Sequence, residues 1–162
     1  MASAATNFLH GEFRRTLDDR FRLSVPAELA DPLVVQGNEC ILAKERSGCL
    51  SLWNAEQGAA RLEAEVQLVQ SKMQAGRLAG RIEEVQRLGR LLSTRHKTIE
   101  LAGRGRLLLP EGFREFLGVE AGGEVMVIGA AVCIELWRPD AWLKHLEEQM
   151  PDFRRLLDNL VG

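Results

Sequence analysis

The sequence predicts an α+β protein in which one small β-β-α-β-β unit occurs twice, with helices between the two copies and after the second. Three observations support this: an internal repeat at an offset of 84 residues, strand-like alternation within each copy, and a helix-forming composition between the copies. The chain has 162 residues, of which 46% are hydrophobic, so it can bury a core without help from metals or disulfides.

The repeat is defined by ten identities that coincide when the chain is shifted by 84 residues without a gap. The match of Trp53 with Trp137 carries much of the weight, because tryptophan is rare. The other nine pairs are Leu17 with Leu101, Arg20 with Arg104, Arg22 with Arg106, Leu23 with Leu107, Pro26 with Pro110, Leu33 with Leu117, Val35 with Val119, Cys49 with Cys133 and Leu52 with Leu136. We therefore predict four segments, which are a first copy (8–54), a helical hairpin insert (55–92), a second copy (93–138) and C-terminal helices (139–162).

Each copy is predicted to contain a strand with arginines on its outer face, because Leu23 and Leu107 alternate with basic neighbours. A proline then ends the strand and opens a short helix, since proline suits the first helical turn. Two short apolar runs close each copy as a hairpin. The predicted helices cover 27–33 and 111–117, and the predicted hairpins join 40–43 to 49–53 and 125–128 to 132–137.

The segment between the copies is rich in helix formers and has no proline from Asn54 to about Leu92. Asn54 followed by Gln57 resembles the start of a capping box, and Gly76 and Gly80 separate two apolar stripes, so we predict two antiparallel helices.

Helices are also predicted after the second copy. Pro139 opens one that runs to Met150, and Pro151 separates it from a last helical stretch over 152–160. The apolar stripes of all these helices are expected to pack against neighbouring helices or subunits.

The net charge of −2 at first argues against nucleic acid as a partner, but the charge is unevenly distributed. Residues 13–22 carry +2 and residues 87–106 carry +5, which leaves −9 on the rest of the chain. Basic strand faces often serve only solubility or block edge pairing. Arginines two residues apart on a strand, however, lie about 6–7 Å apart, close to the phosphate spacing of a DNA strand. The duplicated pair therefore favours a DNA-binding surface, with Arg14, Arg15, Arg20, Arg22, Lys97, Arg104 and Arg106 as candidate contacts.

The sequence contains little evidence for a catalytic site or a metal site. The three histidines are far apart and have no carboxylate or cysteine at ligand or triad spacing. Cys49 and Cys133 occupy matching places in apolar strands, where a thiol is usually a small buried hydrophobe. We therefore predict no enzymatic activity, no cofactor, no metal and no small-molecule substrate.

A cytoplasmic location is expected from two observations. No apolar run approaches the roughly 20 residues that span a bilayer, and residues 1–7 lack the basic and apolar regions of a signal peptide.

Residues 17–26, Leu-Asp-Asp-Arg-Phe-Arg-Leu-Ser-Val-Pro, resemble the D-x-K-G-R-L-x-x-P signature of the MraZ transcriptional regulators, and residues 102–110 resemble its second occurrence. The closing Leu52-Trp53 and Leu136-Trp137, the two-repeat layout and the helical insert are also similar to that family. The resemblance implies a swapped-hairpin β-barrel of the AbrB type, formed within one chain from both repeats, with helices that mediate assembly into ring-shaped homo-oligomers.

The resemblance also implies a function. MraZ proteins bind short direct repeats of double-stranded DNA in the promoter region of the division and cell-wall gene cluster, and regulate its transcription. This chain would then be a repressor associated with the nucleoid. The motif arginine falls on Arg22 and Arg106, and the motif lysine on Arg20 and Arg104.

Two departures from the motif leave an alternative open. Phe21 replaces the motif glycine, which would strain the turn if that position needs a positive φ, and Ala102 replaces the motif aspartate, which could orient an arginine. The alternative is a ring-forming structural or interaction protein of the same fold that has lost specific DNA binding.

Overall fold

The computed structural model describes residues 8–35 and 37–162. Residues 1–7, on which the expectation of no signal peptide rests, lie outside the described residues. No helix in the described part of the chain is long and apolar enough to cross a membrane.

Eight strands of the described residues form one antiparallel sheet that curves into a nearly closed barrel. The strands are β1 (Leu9–Thr16), β2 (Arg22–Ser24), β3 (Glu39–Arg46), β4 (Cys49–Asn54), β5 (His96–Ala102), β6 (Arg106–Leu108), β7 (Glu124–Ala131) and β8 (Ile134–Trp137). Their order across the sheet is β1-β7-β8-β4-β3-β5-β6-β2. The edge strands β1 and β2 are consecutive in the chain and are joined by a turn over 17–21, in which the Asp18 amide donates to the Arg22 carbonyl at 3.0 Å.

The helices agree well with the sequence analysis. They are α1 (Ala27–Leu33), α2 (Ala55–Gln74), α3 (Ile82–Arg95), α4 (Glu111–Leu117), α5 (Pro139–Gln149) and α6 (Phe153–Val161). Helices α1 and α4 have the predicted bounds, and both closing hairpins are confirmed. The Asn54 side chain accepts hydrogen bonds from the amides of Glu56 and Gln57, so it caps α2 as predicted.

Strands from the two halves of the chain are paired with each other across the barrel. Strand β1 pairs with β7 over its whole length, and β5 pairs with β3 in the corresponding way. The sheet also joins β2 to β6 and β4 to β8. Each half therefore completes the sheet of the other.

The core explains why so many of the repeated residues are apolar. Leu17, Leu23, Leu52, Leu107 and Leu136 are each at most 1% exposed and belong to one hydrophobic cluster inside the barrel. Burial of a leucine side chain contributes about 1.5–3 kcal/mol. The repeat identities are thus mainly positions at which the two halves fill a common core.

Helix α3 is fastened to the barrel by its last residue, Arg95. Its Nε donates to the Lys44 carbonyl at 2.9 Å, and its Nη2 pairs with Glu45 at 3.0 Å. Most side chains of α2 and α3 are exposed. The two helices therefore leave the barrel with most of their apolar residues uncovered.

Candidate nucleic-acid interface

The first arginine turn connects β1 to β2 and is organised by Asp18. One carboxylate oxygen of Asp18 accepts from the amides of Arg20 and Arg22, each at 2.8 Å, and the other accepts from Arg22 Nε at 3.0 Å. Hydrogen bonding, above all from the Arg22 amide, holds the pKa of the Asp18 carboxyl below its ordinary value. Asp18 thus shapes the turn and orients the Arg22 guanidinium.

Phe21 stands in this turn with a left-handed backbone, at φ 61°. A non-glycine residue in this conformation costs about 1–2 kcal/mol. The guanidinium of Arg114, from α4, covers the Phe21 ring, with Cζ 3.8 Å from the ring centroid. A cation–π contact of this kind contributes about 0.5–2 kcal/mol and offsets much of the strain.

The second arginine turn connects β5 to β6 and has a different construction. Arg104 and Gly105 are both left-handed, at φ 67° and 71°. Ala102 occupies the place that Asp18 has in the first turn, so the second turn has no carboxylate at that position.

One feature of the predicted strands is wrong. Arg20 and Arg104 lie in turns, and only Arg22 and Arg106 lie on strands. The physical reason is the left-handed residue between each pair of arginines, Phe21 or Gly105, which turns the chain where the alternating pattern would continue a strand.

The two turns are fastened to each other's half of the protein by a reciprocal pair of backbone hydrogen bonds. The Val25 amide donates to the Gly105 carbonyl at 2.8 Å, and the Leu109 amide donates to the Phe21 carbonyl at 2.9 Å. Both turns therefore lie at the same end of the barrel.

Between the turns is an open surface depression of about 430 Å³, lined by Arg22, Ala102, Gly103, Arg104 and Arg106. Arg104 and Arg106 are exposed, and neither forms a salt bridge with any residue in 8–35 or 37–162. Guanidinium groups on one concave surface can bind phosphate oxygens with paired hydrogen bonds. Arg20 is exposed on the first turn but does not line the depression.

The remaining candidates lie elsewhere. Arg14 on β1 pairs with Glu124 at 2.6 Å, and Arg15 lies 5.6 Å from the centroid of the Phe13 ring. Lys97 lies near the start of β5, about 16 Å along the strand from the second turn at the usual rise per residue. The structure thus brings together three of the seven candidates, Arg22, Arg104 and Arg106.

The cysteines have the environment of core residues. Cys49 and Cys133 are buried, and burial raises the pKa of both thiols, that of Cys133 to about 12. A thiol with a raised pKa is a poor nucleophile because little thiolate forms at neutral pH. Among the described residues, no three His, Cys, Asp or Glu side chains are grouped to hold a metal ion.

The fold and this site define a duplicated antiparallel β-barrel protein with an arginine-lined end. The chain is similar to a transcriptional regulator MraZ of Thermus thermophilus, with 31% identity over 154 residues that cover 94% of this chain and 98% of the relative. It belongs to the MraZ family, which is a family of transcriptional regulators and not of enzymes.

Further comparisons also match this chain to the MraZ family. Residues 94–160 match the family model described as "MraZ protein, putative antitoxin-like". A transcriptional regulator MraZ of Syntrophomonas wolfei is 24% identical over 93% of this chain and 95% of the relative. One of Thioalkalivibrio sulfidiphilus is 31% identical over 82% of this chain and 81% of the relative.

Arg114 is the residue of this region that the sequence analysis missed. A signal for it exists in the repeat, because the shift of 84 residues aligns Phe21 with Gly105 and Ala30 with Arg114. Phe21 contacts Arg114, and a Cβ at Gly105 would lie 3.4 Å from the Cβ of Ala30. The same contact thus joins two large side chains in one copy, Phe21 and Arg114, and two small residues in the other, Gly105 and Ala30.

Gly105→Ala is expected to destabilise the protein by about 2–4 kcal/mol. The new Cβ would collide with the Val25 carbonyl oxygen, and the φ of 71° disfavours any side chain. Gly103→Ala in the same turn is the matched control, since a Cβ there meets nothing within 4 Å. Urea denaturation of both variants checks this, and equal losses of unfolding free energy would contradict it.

Proposed function

We propose that this protein is a sequence-specific DNA-binding transcriptional repressor of the division and cell-wall gene cluster, which binds short direct repeats in its own promoter region as a ring-shaped oligomer. The observation that supports DNA binding best is the convergence of Arg22, Arg104 and Arg106 on one open depression. The proposed place of action is the cytoplasm, at the nucleoid.

The arginines suit this role chemically. A guanidinium group binds phosphate oxygens, or the O6 and N7 atoms of guanine, through two hydrogen bonds. Because the rest of the chain is acidic, the body of the protein would repel DNA while the arginine-lined end attracts it. A directed contact is therefore favoured over non-specific coating.

We also propose that the barrel is of the swapped-hairpin AbrB type, with copies over 8–54 and 93–138, an insert over 55–92 and C-terminal helices over 139–162. The exchange of strands supports this, because β1 pairs with β7 and β5 pairs with β3. The two copies would form one barrel with one DNA-binding end, and not two separate sites.

Assembly into a ring is supported by two different apolar surfaces that the single chain leaves uncovered. The first is the exposed face of α6, where Leu156 is 57% and Leu160 is 77% exposed. The second is a groove of about 310 Å³ between α2 and α3, whose apolar lining is Leu68, Val69, Leu78, Val85 and Leu88.

Two different surfaces that bind each other join subunits head to tail, and such contacts close into a ring when the rotation permits. We propose that α6 of one copy occupies the groove of the next. A ring would then present several arginine-lined ends to successive DNA repeats, which raises avidity without any new contact.

The test is a gel-shift titration of the purified protein with DNA from upstream of its own operon, and with a shuffled duplex of the same composition as the control. We expect preferential binding of the upstream DNA, with log K falling by about 0.9 for each phosphate neutralised as log salt rises. The alternative, a ring-forming protein without specific DNA binding, is motivated by Phe21 and Ala102. It predicts a ring in light scattering but no shift at low salt, and that result would reject our proposal.

A further inference from the structure

We propose that Arg114 is a positioning residue of the DNA-binding end: it holds the first arginine turn in its left-handed conformation by stacking on Phe21. This inference rests on the proposed function for its meaning, but its structural part can be tested without DNA. Arg114 lies on α4, in the other half of the chain from the turn that it contacts.

Phe21 and Gly105 occupy corresponding positions in the two turns, and both are left-handed, but each tolerates that conformation by a different means. Gly105 adopts its φ of 71° without a side chain to strain, whereas Phe21 has a φ of 61° and a large ring. The glycine faces Ala30, and the phenylalanine faces the guanidinium of Arg114. The arginine therefore occurs at the turn that lacks a glycine.

Arg114 lies beside contacts on which the basic surface depends. The Phe21 carbonyl accepts a hydrogen bond from the Leu109 amide at 2.9 Å, immediately beside the stacked ring. Phe21 is also the direct chain neighbour of Arg20 and Arg22, and Arg22 lines the depression. Because Phe21 lies between the two arginines, a shift of its backbone would displace both of them and disturb the hydrogen bonds that their amides donate to Asp18.

A second substitution at position 21 can distinguish a positioning role of Arg114 from other roles. If Arg114 only compensates for a side chain at position 21, replacement of Phe21 by glycine removes the need for it. A direct contact of Arg114 with DNA, or a general role in folding, would give no such relief. Rescue of Arg114→Ala by Phe21→Gly is thus specific to a positioning role.

The experiment compares the unaltered full-length protein with Arg114→Ala, Phe21→Gly and the double variant. Lys44→Ala is the matched control. It removes a cation–π contact with Phe113, the neighbour of Arg114 on α4, in which Lys44 Nζ lies 5.0 Å from the ring centroid. Affinity for the upstream duplex is measured by fluorescence anisotropy. Amide hydrogen exchange is measured at Leu109, with the equivalent amide of Val25 as an internal reference.

We expect Arg114→Ala to weaken DNA binding about tenfold and to accelerate exchange at Leu109 about tenfold, with Val25 unchanged. The double variant should return both values to within about threefold of the unaltered protein. An Arg114→Ala variant that behaves like Lys44→Ala, or a double variant that shows no recovery, would overturn the inference.

Failure of the proposed function gives a different result. If the unaltered protein does not bind the duplex, the proposed function is wrong. Amide hydrogen exchange at Leu109 then tests by itself whether Arg114 holds the first turn in place. Faster exchange that Phe21→Gly reverses would support the positioning role of Arg114, and unchanged exchange would overturn it.

Discussion

Replacement of Arg104 and Arg106 together by alanine is expected to lower the affinity for upstream DNA by about 100-fold or more, since each guanidinium contact with a base or phosphate contributes about 1–3 kcal/mol. Both side chains are exposed and line the depression, and neither is paired with a carboxylate in the described residues. Anisotropy titrations at several salt concentrations measure the loss, and the salt dependence should become shallower.

Arg14→Ala combined with Arg15→Ala provides the control, because it removes the same charge from β1. Arg14 already pairs with Glu124, and neither residue lines the depression. We expect the control to weaken binding by less than about threefold, as for surface charges without a direct contact. Equal losses for the two double variants would show that only overall charge matters, and would contradict a binding site at the arginine turns.

Leu156→Asp combined with Leu160→Asp is expected to dissociate the ring and to reduce the apparent DNA affinity by about 100-fold or more through lost avidity. Both leucines lie on the exposed face of α6, so the barrel of each subunit should remain folded. A carboxylate placed in an apolar interface has a high desolvation penalty. Light scattering after size exclusion measures the subunit number, and circular dichroism checks the fold.

The matched control makes the same change in charge away from the two leucines, with Gln149→Glu on α5 and Arg155→Gln, which lies about 100–140° around α6 from Leu156 and Leu160. This control should keep the assembly and the DNA affinity of the unaltered protein. Assembly that persists in the leucine variant would exclude the apolar face of α6 as the contact between subunits.

The parts of the fold that the sequence predicted well are those determined by local chemistry. Pro26 and Pro110 mark the starts of α1 and α4, and Asn54 marks the start of α2, because each acts on the backbone beside it. The pairing of β1 with β7 joins residues more than 100 positions apart, and periodicity contains no information about partners at that distance.

The site was predicted less completely than the fold. Charge duplication pointed to Arg20, Arg22, Arg104 and Arg106, and the last three of these line one depression. Alternation wrongly extended the strands through Arg20 and Arg104. A left-handed residue such as Phe21 cannot be recognised from hydrophobic pattern, because phenylalanine is common in ordinary strands. Arg114 was missed since its role depends on a contact between the two halves.

The exchange of strands between the two halves has a consequence for how the protein forms during synthesis. Strand β1 leaves the ribosome long before its partner β7, and β3 likewise precedes β5. At about 5–20 residues per second, the first half waits several seconds or more with unpaired strand edges. Native pairing can begin only when the second half emerges, so a nascent chain stalled before it should be sensitive to proteases and prone to associate with chaperones.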